Sequence, residues 1–267
     1  MEKLVLSADY SDSVSLKPLH YHDCHQILFV TSGNARIVIN GNAMEAKRGD
    51  LFLISRFEQH SVEKQSLDYR RYILEITPNI PLDSVESSKV YAVLFNRPHG
   101  FSNVHSVWER FQEYQDIFAS IVLEYTMVEL LRENMLNLLV QQLLIKIGRN
   151  MPSVMAAVEG DCLAIVYQVQ NYMQSNFSQY ITLQDLAQKS NISVSYLSHL
   201  FKNATGKSVM GYLLSCRLAA AKNLLVHTNL PVSEIVDSCG FSDCSNFSRT
   251  FRQNTGMSPL AFRKTYR

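Results

Sequence analysis

The stretch SYLSHLFKNATG at residues 195–206 recurs as SNFSRTFRQNTG at residues 245–256, fifty positions later. Ser195, Ser198, Phe201, Thr205 and Gly206 each have an identical counterpart, Lys202 is answered by Arg252, and Leu197 by Phe247. Self-similarity of this kind marks one structural unit used twice. Each copy begins beside a residue suited to cap a helix, Ser193 or Asp243, whose side-chain oxygen can accept a free backbone N–H of the first turn. Each ends at a glycine, which takes the left-handed conformation that closes a helix without a Cβ clash. Between those signals, Leu197, Leu200, Phe201 and Ala204 form one apolar stripe at helical spacing. The opposite face carries Ser195, Ser198, His199 and Lys202 in the first copy and Ser245, Ser248, Arg249 and Arg252 in the second.

A shorter amphipathic stretch precedes each copy, ITLQDLAQKSN (181–191) and PVSEIVDSCG (231–240), with Thr182 and Ser233 as the expected caps. A short helix, a turn through Ser190-Asn191 or Cys239-Gly240, and a polar-faced second helix make the helix-turn-helix layout, which places its second helix in the major groove of DNA. Residues 208–228 join the two units. Their apolar positions, Val209, Tyr212, Leu213, Cys216, Ala220, Leu224 and Leu225, predict one long helix. At 1.5 Å per residue it spans about 31 Å, close to the ~34 Å between successive major grooves on one face of B-DNA.

Charge follows the same division. Residues 1–160 hold 15 Lys/Arg against 19 Asp/Glu, whereas residues 161–267 hold 10 against 5. A basic module joined to a slightly acidic one suits a nucleic-acid partner for the C-terminal part. The competing reading is a helical protein-interaction module with Arg249 merely solvated.

ITLQDLA, SYLSHLFKNATGKS, RLAAAKNLL and VSEIVDSCGFSDCSNFSRTFRQNTGMSPLAFRK together resemble the DNA-binding domain of the AraC/XylS family over about a hundred residues. The resemblance implies two helix-turn-helix units, at about 181–206 and 231–256, within an all-α domain at 161–267. It implies that Ser195, Ser198, His199 and Lys202 face DNA from the first recognition helix, and Cys244, Ser245, Asn246, Ser248, Arg249 and Arg252 from the second. Arg249 is the leading base reader, because a guanidinium can bridge guanine O6 and N7. Phe241, Phe247, Phe251 and Phe262 are read as core.

Ahead of residue 80 the pattern changes. ILFV, ARIVI, DLFLI and YRRYILEI are short β-rich runs, and Asn40-Gly41 is a two-residue hairpin signal because both central positions need positive φ. HYHDCHQILFVTSG with RGDLFLISRFEQH resembles the cupin-type sensor domain found ahead of many AraC-type DNA-binding domains, which implies a β jelly-roll barrel. The full expectation is a two-domain α+β chain: a cupin-like effector-binding and dimerisation domain at 1–150, with helices after the barrel, and the double helix-turn-helix domain.

In the cupin metal pattern, His20, His22 and His60 hold the histidine positions, Gln26 replaces the carboxylate, and Ser55 and Phe57 stand where Pro and Gly are usual. Without an anionic ligand no catalytic metal is expected, while three histidines and a neutral amide could still hold a divalent transition ion. They are read as structural groups or as an effector pocket made by His20, His22, Gln26, Arg36, His60 and Tyr72. No cofactor is expected. The region 107–149 is apolar at helical spacing through Phe111, Phe118, Val122, Tyr125, Val128, Leu131, Met135, Leu139 and Leu143, and by resemblance it packs on a second subunit. Residues 150–161, with Pro152 and Gly160, read as the interdomain linker.

Composition excludes several classes. With 46% hydrophobic and 18% charged residues and no apolar run near 20 residues, the chain lacks a membrane-spanning pattern. Its first residues lack the basic-then-apolar signal-peptide layout, so the cytoplasm is expected. Five scattered cysteines without a C-x-x-C pair suggest neither a disulfide framework nor a zinc ribbon. The sequence-based reading is a sequence-specific DNA-binding regulator, an activator by resemblance. It would respond to a small molecule, with sugars among the candidates, and would work as a homodimer with RNA polymerase as the implied partner. Two alternatives stand: a cupin enzyme carrying a DNA-binding tail, and a dimeric regulator with no effector.

Overall fold

A computed structural model describes residues 3–11, 20, 22, 24–56, 58–77, 80, 85–97, 101–151 and 161–266. Contacts divide the chain into two units, Met1–Ala164 and Ile165–Arg267. Phe57 and most of the expected linker, including Pro152 and Gly160, lie outside the described residues.

Among its described residues the first unit holds eight strands: β1 Val5–Ser11, β2 His25–Ser32, β3 Asn34–Ile39, β4 Asn42–Lys47, β5 Asp50–Ile54, β6 His60–Lys64, β7 Arg70–Ile76 and β8 Val104–Ser106. They form two open antiparallel sheets, five strands in the order β1-β7-β2-β5-β8 and three in the order β4-β3-β6. The Asn40-Gly41 turn has φ of 50° and 87° and joins β3 to β4 with Ile39 opposite Asn42, as a two-residue hairpin requires.

The two faces of the large sheet have different partners. Leu28, Val30, Phe52 and Ile54 face the small sheet and pack with Ala35, Ile37, Ile39 and Ala46. On the other face, Phe29 and Tyr72 meet helix α2 (Phe111–Thr126), where Phe118 lies 5.3 Å from the Phe29 ring and 5.5 Å from the Tyr72 ring. Covered on both faces, β2 and β5 bury both parities of residue, which is why ILFV and LFLI read as continuous apolar runs rather than alternating ones.

Helix α1 is Val85–Phe95 and α3 is Arg132–Arg149. The helical region after residue 107 is therefore two helices, broken at 127–131, with Leu131 at φ 62°. β1 and α1 had no counterpart among the sequence expectations.

Helix α4, Asp161–Asn176, begins just before the boundary of the second unit, and the regular elements described beyond it are all helices: α5 Leu183–Lys189, α6 Val194–Thr205, α7 Val209–His227, α8 Val232–Ser238, α9 Cys244–Thr255 and α10 Pro259–Tyr266. Phe247, Phe251 and Phe262 close a core with Leu218, Ala221, Leu225, Ile235, Val236 and Cys239, and Phe241 packs against its edge. By length and composition α7 could cross a membrane. Its Leu213, Cys216, Leu218, Ala219, Ala221 and Leu225 are buried against this unit, as in the core helix of a globular domain.

Candidate nucleic-acid interface and sandwich interior

Helix α6 starts at Ser193, whose side chain accepts from the Tyr196 N–H, and α9 starts at Asp243, which accepts from the Asn246 N–H. Both end on glycines in the left-handed region, Gly206 at φ 70° and Gly256 at φ 75°. Thr182 caps α5 in a reciprocal capping box with Asp185, whose carboxyl is held below its usual range by accepting from the Thr182 hydroxyl and, second, from the Thr182 N–H. The expectation for Ser233 is corrected: α8 begins at Val232, so Pro231 is the cap position and Ser233 lies inside the first turn. The Pro231 carbonyl accepts the Ile235 N–H, which already starts the helix two residues before Ser233.

The two turns are built alike. In the first, Ile192 N–H bonds Ala187 C=O, and in the second Phe241 N–H bonds Val236 C=O, each at 3.1 Å. Asn191 and Gly240 supply the positive φ. The second turn is longer by Ser242, which accounts for the offset of 49 residues up to the turn and 50 after it. Gly240 also approaches backbone closely, since a Cβ there would sit 2.6 Å from the Ser178 carbonyl oxygen.

These caps leave a polar face exposed on each second helix. Ser195, His199 and Lys202 are exposed on α6, and Cys244, Ser245, Arg249 and Arg252 on α9. Ser198, Asn246 and Ser248 are half-buried. Ser198 Oγ donates to the Val194 carbonyl at 2.8 Å, so its proton is used within its own helix. Arg249 Nη2 donates to Asn246 Oδ1 at 3.4 Å, a loose tether that leaves most of the guanidinium fork available. Tyr196 is also exposed on α6, at the position matching Asn246. It had no place among the sequence expectations, although the repeat register points to it.

Two basic residues in this unit are used structurally. Arg217 donates to the carbonyls of Phe177 and Gln179, and Arg263 to those of Leu225 and Leu230. Each satisfies carbonyls at or beyond a helix end, so neither charge belongs to the exposed polar faces.

In the first unit the six residues expected to line one pocket fall in four different places. His20, His22 and His60 come together, with ring centroids 4.6 to 5.3 Å apart. Gln26 donates to Glu75 Oε1 at 2.8 Å, and Ser7 donates to Glu75 Oε2 at 2.6 Å. Arg36 is exposed, because Ala35 and Ile37 on either side of it take the inward positions of β3. Tyr72 stacks against α2 on the outer face of the large sheet, away from the space between the sheets.

Residues unnoticed in the sequence fill that space instead. By strand parity, Arg71, Ile73 and Glu75 of β7 share the inward face with Gln26, Leu28 and Val30 of β2 and with Ser7 and Ser11 of β1. Arg71 is buried, with its guanidinium 5.4 Å from the Tyr69 ring. The interior thus has a polar flank along β1 and β7 and an apolar flank along β3 and β5.

His25 and His60 are held neutral by burial, both with pKa values lowered to about 3. For His25 the Arg97 and Arg56 charges add to this effect. The unfolded His25 takes up a proton below pH ~6.5 while the folded one stays neutral, so its stabilisation is complete above pH ~6.5 and is lost as pH falls towards 3. One such group gives a slope near 1.4 kcal/mol per pH unit. Between pH 7 and pH 5 the wild type should lose about 2 kcal/mol more than a His25→Leu variant. Urea unfolding followed at Trp108 measures this, because the single tryptophan lies in the first unit. Parallel losses in both proteins would rule out His25 as the titrating group.

Comparison with known proteins agrees with both halves. Residues 4–140, half of the chain, match the AraC-like ligand binding domain, and residues 186–265 match a helix-turn-helix domain. The chain belongs to the AraC family. Its relatives include the Msm operon regulatory protein of Streptococcus mutans, 26% identical over 91% of this chain and 84% of that protein. The HTH-type transcriptional activator RhaR of Pectobacterium carotovorum is 28% identical over 93% and 87%. A solved structure of ToxT from Vibrio cholerae matches 98% of each chain with a TM-score of 0.56 and 13% identity, a likeness in fold alone. This AraC-family chain is a DNA-binding transcriptional regulator, with the helix-turn-helix units in its second unit and the ligand-binding fold in its first.

Proposed function

We propose that this regulator is an activator that works as a cytoplasmic homodimer, reading DNA with α6 and α9 and taking a small-molecule effector between its two β-sheets. The observation that carries the DNA reading is the pair of identically capped helices, each presenting a polar, partly basic face and joined by one continuous helix. Arg249 and Arg252 are assigned to guanine or phosphate, Lys202 to phosphate, and Ser195, Ser198, His199, Cys244, Ser245, Asn246 and Ser248 to base edges or backbone. The 19 residues of α7 span about 28 Å, which suits two adjacent major grooves on one face of the duplex. Footprinting on the operator should show two protected segments per half-site about one helical turn apart. A single protected segment would leave one of the two units without a groove.

The activator role follows the relatives named as activators, and RNA polymerase is the partner such a role requires. The effector reading rests on the interior with one polar and one apolar flank. Ser7, Gln26, Arg71 and Glu75 can satisfy the hydroxyls of a small polar ligand such as a sugar, while the opposite side packs its apolar surface.

Dimerisation rests on α3. Leu136, Val140, Leu143 and Ile147 are buried, whereas Met135, Leu138, Gln142 and Ile145 are exposed at spacings of three, four and three. That is the seam of a helix pair, apolar at three of its four positions, with Gln142 as a single polar residue of the kind that fixes register. Val128 and Leu130 extend the exposed apolar surface at the α2–α3 bend. Leu138→Glu should convert the dimer to a monomer in sedimentation equilibrium while leaving Trp108 emission unchanged. A variant that stays dimeric would place the interface elsewhere.

A further inference from the structure

We propose, on the basis that α6 and α9 are the DNA-facing helices of the proposed function, that Tyr196, with Val194 near it, makes α6 a reader of thymine methyl groups. The two recognition helices then select different base chemistry, thymine under α6 and guanine or adenine under α9. Neither Tyr196 nor Val194 belongs to the set that the AraC/XylS resemblance places on DNA. Both stand in the first turn of α6, one on each side of Ser195, and the N-terminal residues of a recognition helix are those that meet base edges. Both carry apolar surface into solvent, with Tyr196 48% and Val194 39% exposed. The core is served instead by Leu197, Leu200, Phe201 and Ala204.

The repeat supplies the contrast. Position for position, Val194 corresponds to Cys244, Tyr196 to Asn246 and His199 to Arg249. An Asn amide pairs with adenine through two hydrogen bonds, and an Arg fork pairs with guanine in the same way. From Ser193 to Lys202 α6 has no Arg, Asn or Gln, so it lacks the side chains on which two-bond purine readout relies. Ser198 does not replace them, because its proton is already given to the Val194 carbonyl at 2.8 Å. What the first turn of α6 offers is apolar surface, and the apolar group that marks one base in the major groove is the C5-methyl of thymine. Both helices begin on a side-chain cap and end on a left-handed glycine. They are held alike, and the difference lies in what they present.

The test starts from random duplexes selected for binding to the full-length protein, which yields a bound sequence without knowledge of the operator. Thymines of the selected duplex are then replaced one at a time by deoxyuridine, which keeps the base-pairing hydrogen bonds and deletes only the methyl group. At one or two thymines within a single protected segment the wild type is expected to lose about fourfold in affinity, the effect of returning one methyl group to water. Tyr196→Ala should bind the thymine and uracil duplexes equally at one of these positions, and Val194→Ala should weaken the discrimination at a neighbouring one. Arg249→Ala should leave it intact. Tyr196→Phe should also keep it, because the ring and not the hydroxyl makes the contact. Both side chains are exposed, so the variants are expected to fold, which helical circular dichroism checks. A selected sequence with no methyl-sensitive thymine, or a sensitivity that survives in Tyr196→Ala, would overturn the thymine assignment and leave DNA reading by α6 and α9 standing. Equal losses in Tyr196→Phe and Tyr196→Ala, on thymine and uracil alike, would overturn it by assigning the hydroxyl to a phosphate. A selection that enriches no sequence would take down the broader DNA reading and the thymine assignment together.

Discussion

Phe251→Ala is expected to lower the melting temperature of the helical unit by at least about 12 °C and to abolish DNA binding. Phe251 is fully buried, with its ring 5.4 Å from both Phe247 and Phe262. These rings hold the second recognition helix on α7, α8 and α10. Truncating a buried Phe costs about 3–5 kcal/mol, a large fraction of the 5–15 kcal/mol that stabilises a typical domain. At roughly 4–8 °C per kcal/mol for a unit of this size, that cost gives the stated shift. Thermal unfolding followed by helical circular dichroism measures it, with Trp108 fluorescence reporting separately on the other unit. Phe251→Leu should retain most of the stability and most of the binding. A shift below about 4 °C in the Ala variant would mean that these rings do not anchor α9.

Arg249→Ala is expected to reduce discrimination between operator and scrambled DNA by about 1–3 kcal/mol, or roughly 5- to 150-fold. Arg249 is exposed, six residues beyond the Asp243 cap, and loosely held by Asn246. Asp243 keeps its carboxyl below the usual range mainly by accepting the Asn246 N–H, with Arg249 a smaller contributor. The guanidinium is therefore not consumed by an ion pair, and its fork can meet guanine O6 and N7. Arg249→Lys separates charge from geometry: it should recover binding to scrambled DNA without recovering discrimination. Competition binding with both DNAs gives the answer. Equal losses on the two DNAs would move Arg249 from a base to a phosphate.

The helical half was largely legible in the sequence because its signals are local. Ser193, Asp243, Thr182, Gly206 and Gly256 act within one turn of where they sit, and the fifty-residue repeat supplied each reading twice. The reading failed at Ser233, where a cap residue stood two positions after a proline that starts the helix earlier. The roles of Arg217 and Arg263 were hidden because their carbonyl partners are 33 to 40 residues away.

The β half was legible as strands and turns but not as a site. Asn40-Gly41 fixed one hairpin, yet which face a residue takes depends on the register between strands distant in sequence. That is why Arg36 and Tyr72 fell outside the interior, and why Arg71 and Glu75 went unnoticed inside it. Glu75 also shows how substitution can mislead. Gln26 removes a carboxylate from its own position, and the fold brings one to it from β7 at 2.8 Å. The bend at 127–131 was hidden as well, since apolar spacing continues through it and the break is recorded in the backbone, extended at Met127 and left-handed at Leu131.

The most direct test of the central claim is binding of the purified full chain to DNA from upstream of its own gene and to scrambled DNA, at two salt concentrations. Backbone attraction weakens steeply with salt on both DNAs, whereas base readout persists as a difference between them. The account predicts that the native fragment is preferred, and that the preference remains at the higher salt. Equal binding to both DNAs at each salt, with equal salt dependence, would contradict it.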